Sequence, residues 1–223
     1  MNTLLPTQEI ATSENPTASV IWMHGLGDSS DGFAPIVKEL DLNGAPGIRF
    51  IFPDAPTIPV TINNGYVMPA WYDIRTGDLV QREDEAGLRK SQTQIEALIA
   101  QERARGIAAN KIVIAGFSQG CAMALQIGLR HPEKLAGLMC LSGYLPLADK
   151  IATERHAANQ TTPIFMAHGQ QDPVVPLARA VQSRDLLQRL DYQIAWHEYA
   201  MQHSVCAEEV RDIATWLRQV LAD

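Results

Sequence analysis

The segment that decides the fold is KIVIAGFSQGCAMALQIGL, residues 111–129. It begins with a short run of apolar β-branched residues at 112–114, which is typical of a buried strand. The chain then passes through GFSQG at 116–120 and continues as CAMAL at 121–125, which is rich in helix-forming residues. The sequence therefore predicts a strand, a sharp turn at Ser118 and a buried helix in direct succession.

The Gly-x-Ser-x-Gly pattern between a strand and a helix is typical of the nucleophile elbow of an α/β-hydrolase. Such a turn forces strained dihedral angles on the serine, and side chains two residues before and after it would collide. The serine hydroxyl is left exposed above the sheet, at the positive end of the helix. The alternative is an ordinary turn that happens to hold a serine, and the flanking strand and helix favour the elbow.

The composition limits the classes of function. The 223 residues are 46% apolar and 19% charged, which suits one well-buried α/β domain over residues 1–223. The net charge of −7 argues against nucleic acid or an anionic membrane as a partner, because neither is attracted to an acidic surface. The N-terminus shows no secretory signal and no apolar run is long enough to span a bilayer, so we expect no stable membrane insertion.

The cysteine count indicates a compartment. Cys121, Cys140 and Cys206 are odd in number and fall within a predicted helix, strand and helix. We interpret them as buried free thiols in a reducing environment, with the cytoplasm as the expected location.

Strands alternate with helices along almost the whole chain. Strands are predicted at 18–23, 48–53, 112–114, 135–142, 162–167 and 193–199, and helices at 32–40, 83–105, 121–125, 177–190 and 206–220. This alternation predicts a mostly parallel sheet with helices on both faces. Residues 1–17 read as a polar lead-in that includes a short edge strand. Residues 54–82 read as a long irregular stretch of the kind that forms a lid or a pocket wall.

A catalytic serine needs a base within hydrogen-bond reach, and the base needs a third group to orient it. In an α/β-hydrolase the acid and then the histidine follow the serine, on loops after later strands. Asp172 and His203 occupy such positions, at the carboxyl ends of two predicted parallel strands. Taken alone, Asp172 before Pro173 would be a turn residue. Its joint spacing with Ser118 and His203 favours a catalytic triad.

The other histidines are weaker candidates for the base. His131 is predicted to be a solvated residue at a helix end, His156 lies in a polar stretch, and His197 lies within a strand. His24 and His168 both follow strands, and we assign them structural roles that support the adjoining loops.

The oxyanion of an acyl-transfer reaction needs backbone N–H donors. We expect one from Gln119, the residue after the nucleophile, and one from Leu26 in the first strand-to-helix loop. A dinucleotide-binding interpretation of that loop fails because Ser30 occupies the third glycine position. No P-loop, HExxH or Cys-x-x-Cys pattern occurs, so we expect no cofactor and no metal.

A set of short motifs covers residues 24–204, nearly the whole chain. They are HGLGD (24–28), PDAP (53–56), MPAWYDI (68–74), EDEAG (83–87), GFSQG (116–120), LAGLMCLSGYLP (135–146), HGQQDPVVP (168–176) and MQHS (201–204). In combination they resemble the carboxylesterase and acyl-protein thioesterase (lysophospholipase-like) family. The resemblance implies an α/β-hydrolase without a large cap domain that acts on acyl esters or thioesters, with the same three catalytic residues and two oxyanion donors.

The resemblance also implies a flap over the acyl groove at about residues 62–71, within the 54–82 stretch. Ile62, Met68 and Trp71 are the substrate-binding residues that it indicates. Two positions depart from the family pattern: Cys121 replaces a glycine found in many relatives, and Tyr144 replaces a tryptophan found in some. Either change could alter the size of the pocket and hence the acyl-chain preference.

The sequence thus predicts a serine hydrolase that forms an acyl-enzyme. Short-chain carboxylesters, lysophospholipids and S-acylated proteins are all open as substrates, lactones are a further alternative, and a peptide bond is disfavoured because no added domain gates peptides. A monomer and a weak homodimer that buries the flap are also both open. A non-catalytic binding module on the same fold is the alternative from another class, and the complete triad argues against it.

Overall fold

The computed structural model describes residues 4–77 and 83–222, so residues 1–3 of the predicted lead-in, residues 78–82 of the predicted flap stretch and residue 223 lie outside the described residues. The strands are β1 (Thr7–Ala11), β2 (Ala18–Met23), β3 (Ile48–Pro53), β4 (Thr57–Val60), β5 (Tyr66–Pro69), β6 (Ile112–Phe117), β7 (Gly137–Leu141), β8 (Ile164–Gly169) and β9 (Ile194–Tyr199). The helices are α1 (Ser30–Phe33), α2 (Glu85–Ala104), α3 (Gln119–Gly128), α4 (Ile151–Glu154), α5 (Leu177–Arg189) and α6 (Ala207–Val220).

The main sheet has seven strands in the order β1-β3-β2-β6-β7-β8-β9. Among the described strands of this sheet, β1 alone runs antiparallel to its neighbour, and it forms the edge strand predicted within the polar lead-in. The carboxyl ends of the other six strands therefore meet at one edge of the sheet, where parallel sheets place their binding sites. The predicted fold class, a mostly parallel α/β sheet with helices on both faces, is confirmed.

The core lies in two layers, one on each face of the sheet. Successive side chains of a strand point to opposite faces, and β2 shows this directly. Ile21 and Met23 pack in the layer that includes α2 and α3, whereas Val20 and Trp22 pack in the layer that includes α6. The six residues of β2 are all buried, as a strand covered on both faces requires.

Three local predictions differ from the structure. The helix expected at 32–40 is a single α turn followed by a 3₁₀ helix, Ala34–Glu39, because Pro35 lacks the N–H that a continuing α-helix needs. The stretch expected to be irregular contains the two-stranded ribbon β4–β5. Cys206 is the residue before α6 and is only partly buried, while Cys121 and Cys140 are buried as predicted.

Among the described residues, we find no helix with the length and apolar character to cross a membrane.

Candidate active site

Ser118 connects β6 to α3 with backbone angles of φ 55° and ψ −114°. A non-glycine residue rarely adopts this conformation, and surrounding structure must hold it in place. The two flanking glycines make the turn sterically possible. A Cβ atom at Gly116 would lie 2.0 Å from the carbonyl oxygen of Gly120, and one at Gly120 would lie 2.2 Å from that of Met23.

His203 connects Ser118 and Asp172 in one hydrogen-bonded chain. Its Nε2 lies 2.9 Å from Ser118 Oγ, and its Nδ1 lies 2.6 Å from Asp172 Oδ2. Asp172 lies in the loop after β8 and His203 in the loop after β9. The sheet thus brings together all three predicted catalytic residues, with His203 lying 85 and 31 positions along the chain from its two partners.

The carboxylate of Asp172 is held from both sides. Its Oδ1 accepts hydrogen bonds from the backbone N–H groups of Val174 at 2.8 Å and Val175 at 2.9 Å, which leaves Oδ2 for His203. The ring of Phe117 packs against the imidazole of His203 with centroids 4.8 Å apart. When Nδ1–H of the histidine is donated to the carboxylate, Nε2 carries the lone pair that faces the serine hydroxyl.

His168 is a buried neighbour of this group. Its Nε2 lies 2.8 Å from the carbonyl oxygen of Val175 and 3.4 Å from Asp172 Oδ2. Burial lowers the pKa of His168, which favours the neutral imidazole. A neutral ring that donates to the Val175 carbonyl secures the loop that presents Asp172.

His24 supports the loop that contains Leu26. Its Nδ1 lies 2.7 Å from the carbonyl oxygen of Gly25, and its Nε2 accepts the backbone N–H of Ala55 at 3.1 Å. Burial lowers the pKa of His24, so a neutral ring with its proton on Nδ1 satisfies both contacts. Both nitrogens are therefore occupied by backbone groups, which leaves His24 no lone pair for a substrate.

His131 differs from the sequence prediction. It is buried rather than solvated, and neither ring nitrogen has a hydrogen-bond partner among the described residues. Burial lowers its pKa, because the charged form of the imidazole loses hydration there.

A cavity of about 70 Å³ lies at the candidate nucleophile. Its lining residues are Leu26, Tyr72, Ile74, Ser118, Gln119, Tyr144, Val174 and Val175. Both predicted oxyanion donors thus border the same space as the serine. A larger groove of about 820 Å³ lies at the opposite edge of the sheet, and its lining includes none of the predicted site residues.

The predicted substrate-binding residues do not line this cavity. Trp71 is 2% exposed, and its Nε1 donates to the carbonyl oxygen of His24 at 2.9 Å. Met68 lies beside the loop that contains Leu26, where a Cβ atom at Gly27 would be 3.5 Å from its sulfur. Ile62 is 43% exposed on the turn between β4 and β5. The neighbouring Tyr72 and Ile74, which sequence reasoning missed, face the cavity instead.

The side chain of Gln119 is a second feature that the sequence did not reveal. Its Oε1 accepts the backbone N–H of Trp71 at 2.8 Å, and its Nε2 donates to the carbonyl oxygen of Tyr72 at 2.7 Å. Gln119 is 3% exposed, so this amide satisfies two buried backbone groups. These two hydrogen bonds attach the backbone of Trp71 and Tyr72 to the start of α3.

A parallel sheet that carries a strained serine, a histidine and a carboxylate at its carboxyl edge defines a serine hydrolase of the α/β-hydrolase class. The phospholipase/carboxylesterase family model matches residues 6–221. The chain belongs to this family, which confirms the family predicted from the sequence motifs.

Individual relatives agree with this assignment. Acyl-protein thioesterase 1 of Yarrowia lipolytica is 40% identical over 219 residues, which are 96% of this chain and 96% of that protein. Acyl-protein thioesterase 1 of Neurospora crassa is 44% identical and covers 92% of this chain and 87% of its own length. The crystal structure of Arabidopsis thaliana SOBER1 is similar with a TM-score of 0.86 at 30% identity, covering 92% of this chain and 99% of that chain.

Proposed function

We propose that this enzyme hydrolyses carboxylic acyl esters or thioesters, with Ser118 as nucleophile, His203 as general base and Asp172 as the group that orients the imidazole. The single observation that supports these roles is the unbroken hydrogen-bonded chain from Ser118 Oγ through His203 to Asp172, at 2.9 and 2.6 Å. It ends on a serine in the strained elbow conformation.

In the proposed reaction, Ser118 Oγ attacks the acyl carbonyl carbon while His203 Nε2 takes the hydroxyl proton. The tetrahedral intermediate collapses to an acyl-serine, and the imidazolium returns the proton to the departing alcohol or thiol. Water then attacks the acyl-enzyme with the same base, which releases the carboxylic acid and regenerates the serine. Asp172 keeps the imidazole in the productive tautomer throughout.

The backbone N–H groups of Leu26 and Gln119 are proposed as the oxyanion hole. Both residues border the cavity next to Ser118, and Gln119 begins α3, so its N–H lies at the positive end of a ten-residue helix. The oxyanion loop is close to the elbow, because a Cβ atom at Gly25 would lie 3.4 Å from that of Ser118. Such donors act on charge that develops only in the transition state.

An S-acylated protein is the second candidate substrate. The names of the relatives, acyl-protein thioesterase 1 at 40% and 44% identity, favour it. Within the proposed flap, Ile62, Tyr66 and Val67 are 43%, 68% and 58% exposed, and an apolar rim of this kind suits an acylated substrate. A lysophospholipid shares the same bond chemistry. We propose a monomer or a weak homodimer that buries this rim.

We also propose the cytoplasm as the location. The three cysteines are free thiols, and Cys121 and Cys140 are buried next to the elbow, where a reducing compartment preserves them.

The test is hydrolysis of nitrophenyl esters, acetyl through palmitoyl, by the wild type, Ser118→Ala and the control Ser13→Ala. Ser13 is an exposed serine between β1 and β2, so the control removes a hydroxyl away from the site. We expect Ser118→Ala to lower kcat by about a millionfold and the control to match the wild type. A fluorophosphonate probe should label the wild type at Ser118. Wild-type activity that survives in Ser118→Ala, or an inert wild type, would contradict the proposal. A thioester peptide run beside the ester series distinguishes the two candidate substrates.

A further inference from the structure

We propose that Trp71 is a positioning residue that holds the two expected oxyanion donors, the N–H groups of Leu26 and Gln119, in one fixed arrangement. The inference rests on the proposed function, because it concerns the negative charge that develops after Ser118 attacks the acyl group. Trp71 is not among the residues that line the cavity, so it acts through the backbone segments that carry the two donors.

The indole of Trp71 fixes the start of the loop that contains Leu26. Its Nε1 donates to the carbonyl oxygen of His24 at 2.9 Å, and its ring packs on the His24 imidazole with centroids 5.2 Å apart. The same carbonyl lies against the elbow, because a Cβ atom at Gly120 would be 2.8 Å from its oxygen. The indole therefore holds both the backbone and the side chain of His24.

The direction of the Leu26 N–H depends on the peptide group that it shares with the Gly25 carbonyl. A trans peptide is planar, so its C=O and N–H point in opposite directions and whatever holds the carbonyl also aims the donor. The Gly25 oxygen lies 2.7 Å from His24 Nδ1 and accepts a longer bond, 3.3 Å, from the N–H of Asp28. Gly25 adds no steric restraint of its own, since glycine adopts a wide range of backbone angles. The imidazole that packs on Trp71 thus helps to aim the first donor.

The backbone of Trp71 is bound to the second donor residue. Its N–H donates to Gln119 Oε1 at 2.8 Å, and Gln119 Nε2 donates to the carbonyl oxygen of Tyr72 at 2.7 Å. The carbonyl oxygen of Trp71 accepts the hydroxyl of Ser91 on α2. All three polar groups of Trp71 are therefore engaged, each with a different part of the fold, and one residue connects both halves of the proposed oxyanion hole.

The loop around Leu26 has a second attachment that does not use the indole. The N–H of Gly27 donates to the carbonyl oxygen of Pro69 at 2.8 Å. Loss of the indole N–H would leave this bond intact, so the loop would stay in place. The His24 carbonyl would lose a donor although His24 is only 1% exposed, and an unpaired buried carbonyl is costly. We therefore expect a local shift of the backbone before Leu26 rather than unfolding.

The test compares the wild type, Trp71→Phe and the control Trp196→Phe on a butyryl nitrophenyl ester. Trp71→Phe keeps an aromatic ring beside His24 and removes the indole N–H. We expect kcat to fall by about ten- to hundredfold with little change in KM, because the lost stabilisation acts on the transition state. Trp196 Nε1 donates to Glu198 Oε1 at 2.9 Å on the edge strand β9, so the control loses a bond of the same kind and length. Its kcat should stay within about twofold of the wild-type value.

A trifluoromethyl ketone labelled with ¹³C at its carbonyl reports on the oxyanion donors directly. Ser118 Oγ adds to the carbonyl carbon while His203 takes the hydroxyl proton, and the ketone oxygen becomes the oxyanion of a hemiketal. The ¹³C chemical shift followed against pH gives the pKa of that hemiketal. Weaker donors stabilise the oxyanion less, so this pKa should rise in Trp71→Phe, by about one to two units if it accounts for the expected loss of kcat. It should be unchanged in the control.

Circular dichroism checks that each variant is folded. If Trp71→Phe does not fold, Ser91→Ala replaces it, because this change removes the donor to the Trp71 carbonyl and keeps the indole. We then expect a smaller fall in kcat, again with a rise in the hemiketal pKa.

Two results would overturn the inference while leaving the proposed function intact. One is a folded Trp71→Phe variant whose kcat stays within about twofold of the wild-type value. The other is a loss of kcat without a rise in the hemiketal pKa, which would place the damage outside the oxyanion donors. A wild type that is inert on esters, or activity that persists in Ser118→Ala, would overturn the proposed function and the inference with it.

Discussion

Replacing Asp172 with asparagine should abolish most activity while keeping the shape of the site. The side-chain orientation follows from two backbone donors. Oδ1 accepts the N–H groups of Val174 and Val175 at 2.8 and 2.9 Å, and only an amide oxygen can replace it there. Reversing the amide would lose two buried hydrogen bonds, at about 1–3 kcal/mol each. The NH₂ group of the introduced asparagine must therefore face His203.

An NH₂ group in that position donates to His203 Nδ1, which then has to act as an acceptor. The ring proton moves to Nε2, 2.9 Å from Ser118 Oγ, so the imidazole can no longer accept the hydroxyl proton. In another serine hydrolase, the same Asp-to-Asn change places the histidine in the unproductive tautomer and lowers kcat by about ten thousandfold. At about 1.36 kcal/mol per tenfold, this loss corresponds to about 5.4 kcal/mol of barrier.

The assay is single-substrate kinetics with a butyryl ester for the wild type, Asp172→Asn and the matched control Asp212→Asn. Asp212 accepts the hydroxyl of Tyr199 at 2.7 Å, away from the catalytic hydrogen bonds, and an asparagine oxygen can accept the same bond. We expect the kcat of the control to stay within about twofold of the wild-type value, as is usual for substitutions outside the active site. If folded Asp172→Asn kept more than about a tenth of the wild-type kcat, the assigned tautomer role would be wrong.

Two further predictions concern stability. Gln119→Met should lower the free energy of unfolding in urea by about 2–6 kcal/mol, since it leaves the N–H of Trp71 and the carbonyl of Tyr72 buried and unpaired; a loss below about 0.5 kcal/mol would show that these groups find other partners. Burial raises the pKa of Glu209 from 4.5 to about 8, so the folded state holds a proton that the unfolded chain releases. Stability should therefore fall as the pH rises through this window, by up to about 1.4 kcal/mol per unit. Glu209→Gln should flatten this part of the slope, and equal slopes between pH 5 and 8 would contradict the assignment.

The architecture could be predicted from sequence because its signals are local. The buried strands are continuous apolar runs, and the predicted bounds of the longer helices match the observed ones within a few residues, as in α2 and α5. The ribbon β4–β5 was missed because Pro59 and Pro69 are typical of loops. A two-stranded ribbon consists only of edge strands, so a proline whose missing N–H points away from the partner costs it no ladder bond.

The candidate site likewise has a part that could be predicted from the sequence and a part that could not. The positions of the proposed triad could be predicted because each follows a strand at the carboxyl edge of the sheet, and strand order determines which loops meet there. The cavity lining could not be predicted, because it depends on which of two adjacent side chains points inward. The motif around residue 71 indicated Trp71, whereas the structure turns Tyr72 to the cavity and buries Trp71 against the His24 carbonyl. Likewise, no pattern in the sequence pairs Tyr72 with Tyr144 across 72 positions.

Gln119 links the proposed chemistry to the lining of the cavity at Ser118. Its backbone N–H is the expected oxyanion donor, and its side-chain amide fixes the backbone of Tyr72 from the same residue. A shift of the Tyr72 backbone would therefore be transmitted to the start of α3, which follows the strained Ser118 directly. Because catalytic donors need placement within a fraction of an ångström, truncation of Tyr72 should reduce kcat more than truncation of Tyr144, which has no bond to Gln119 among the described residues.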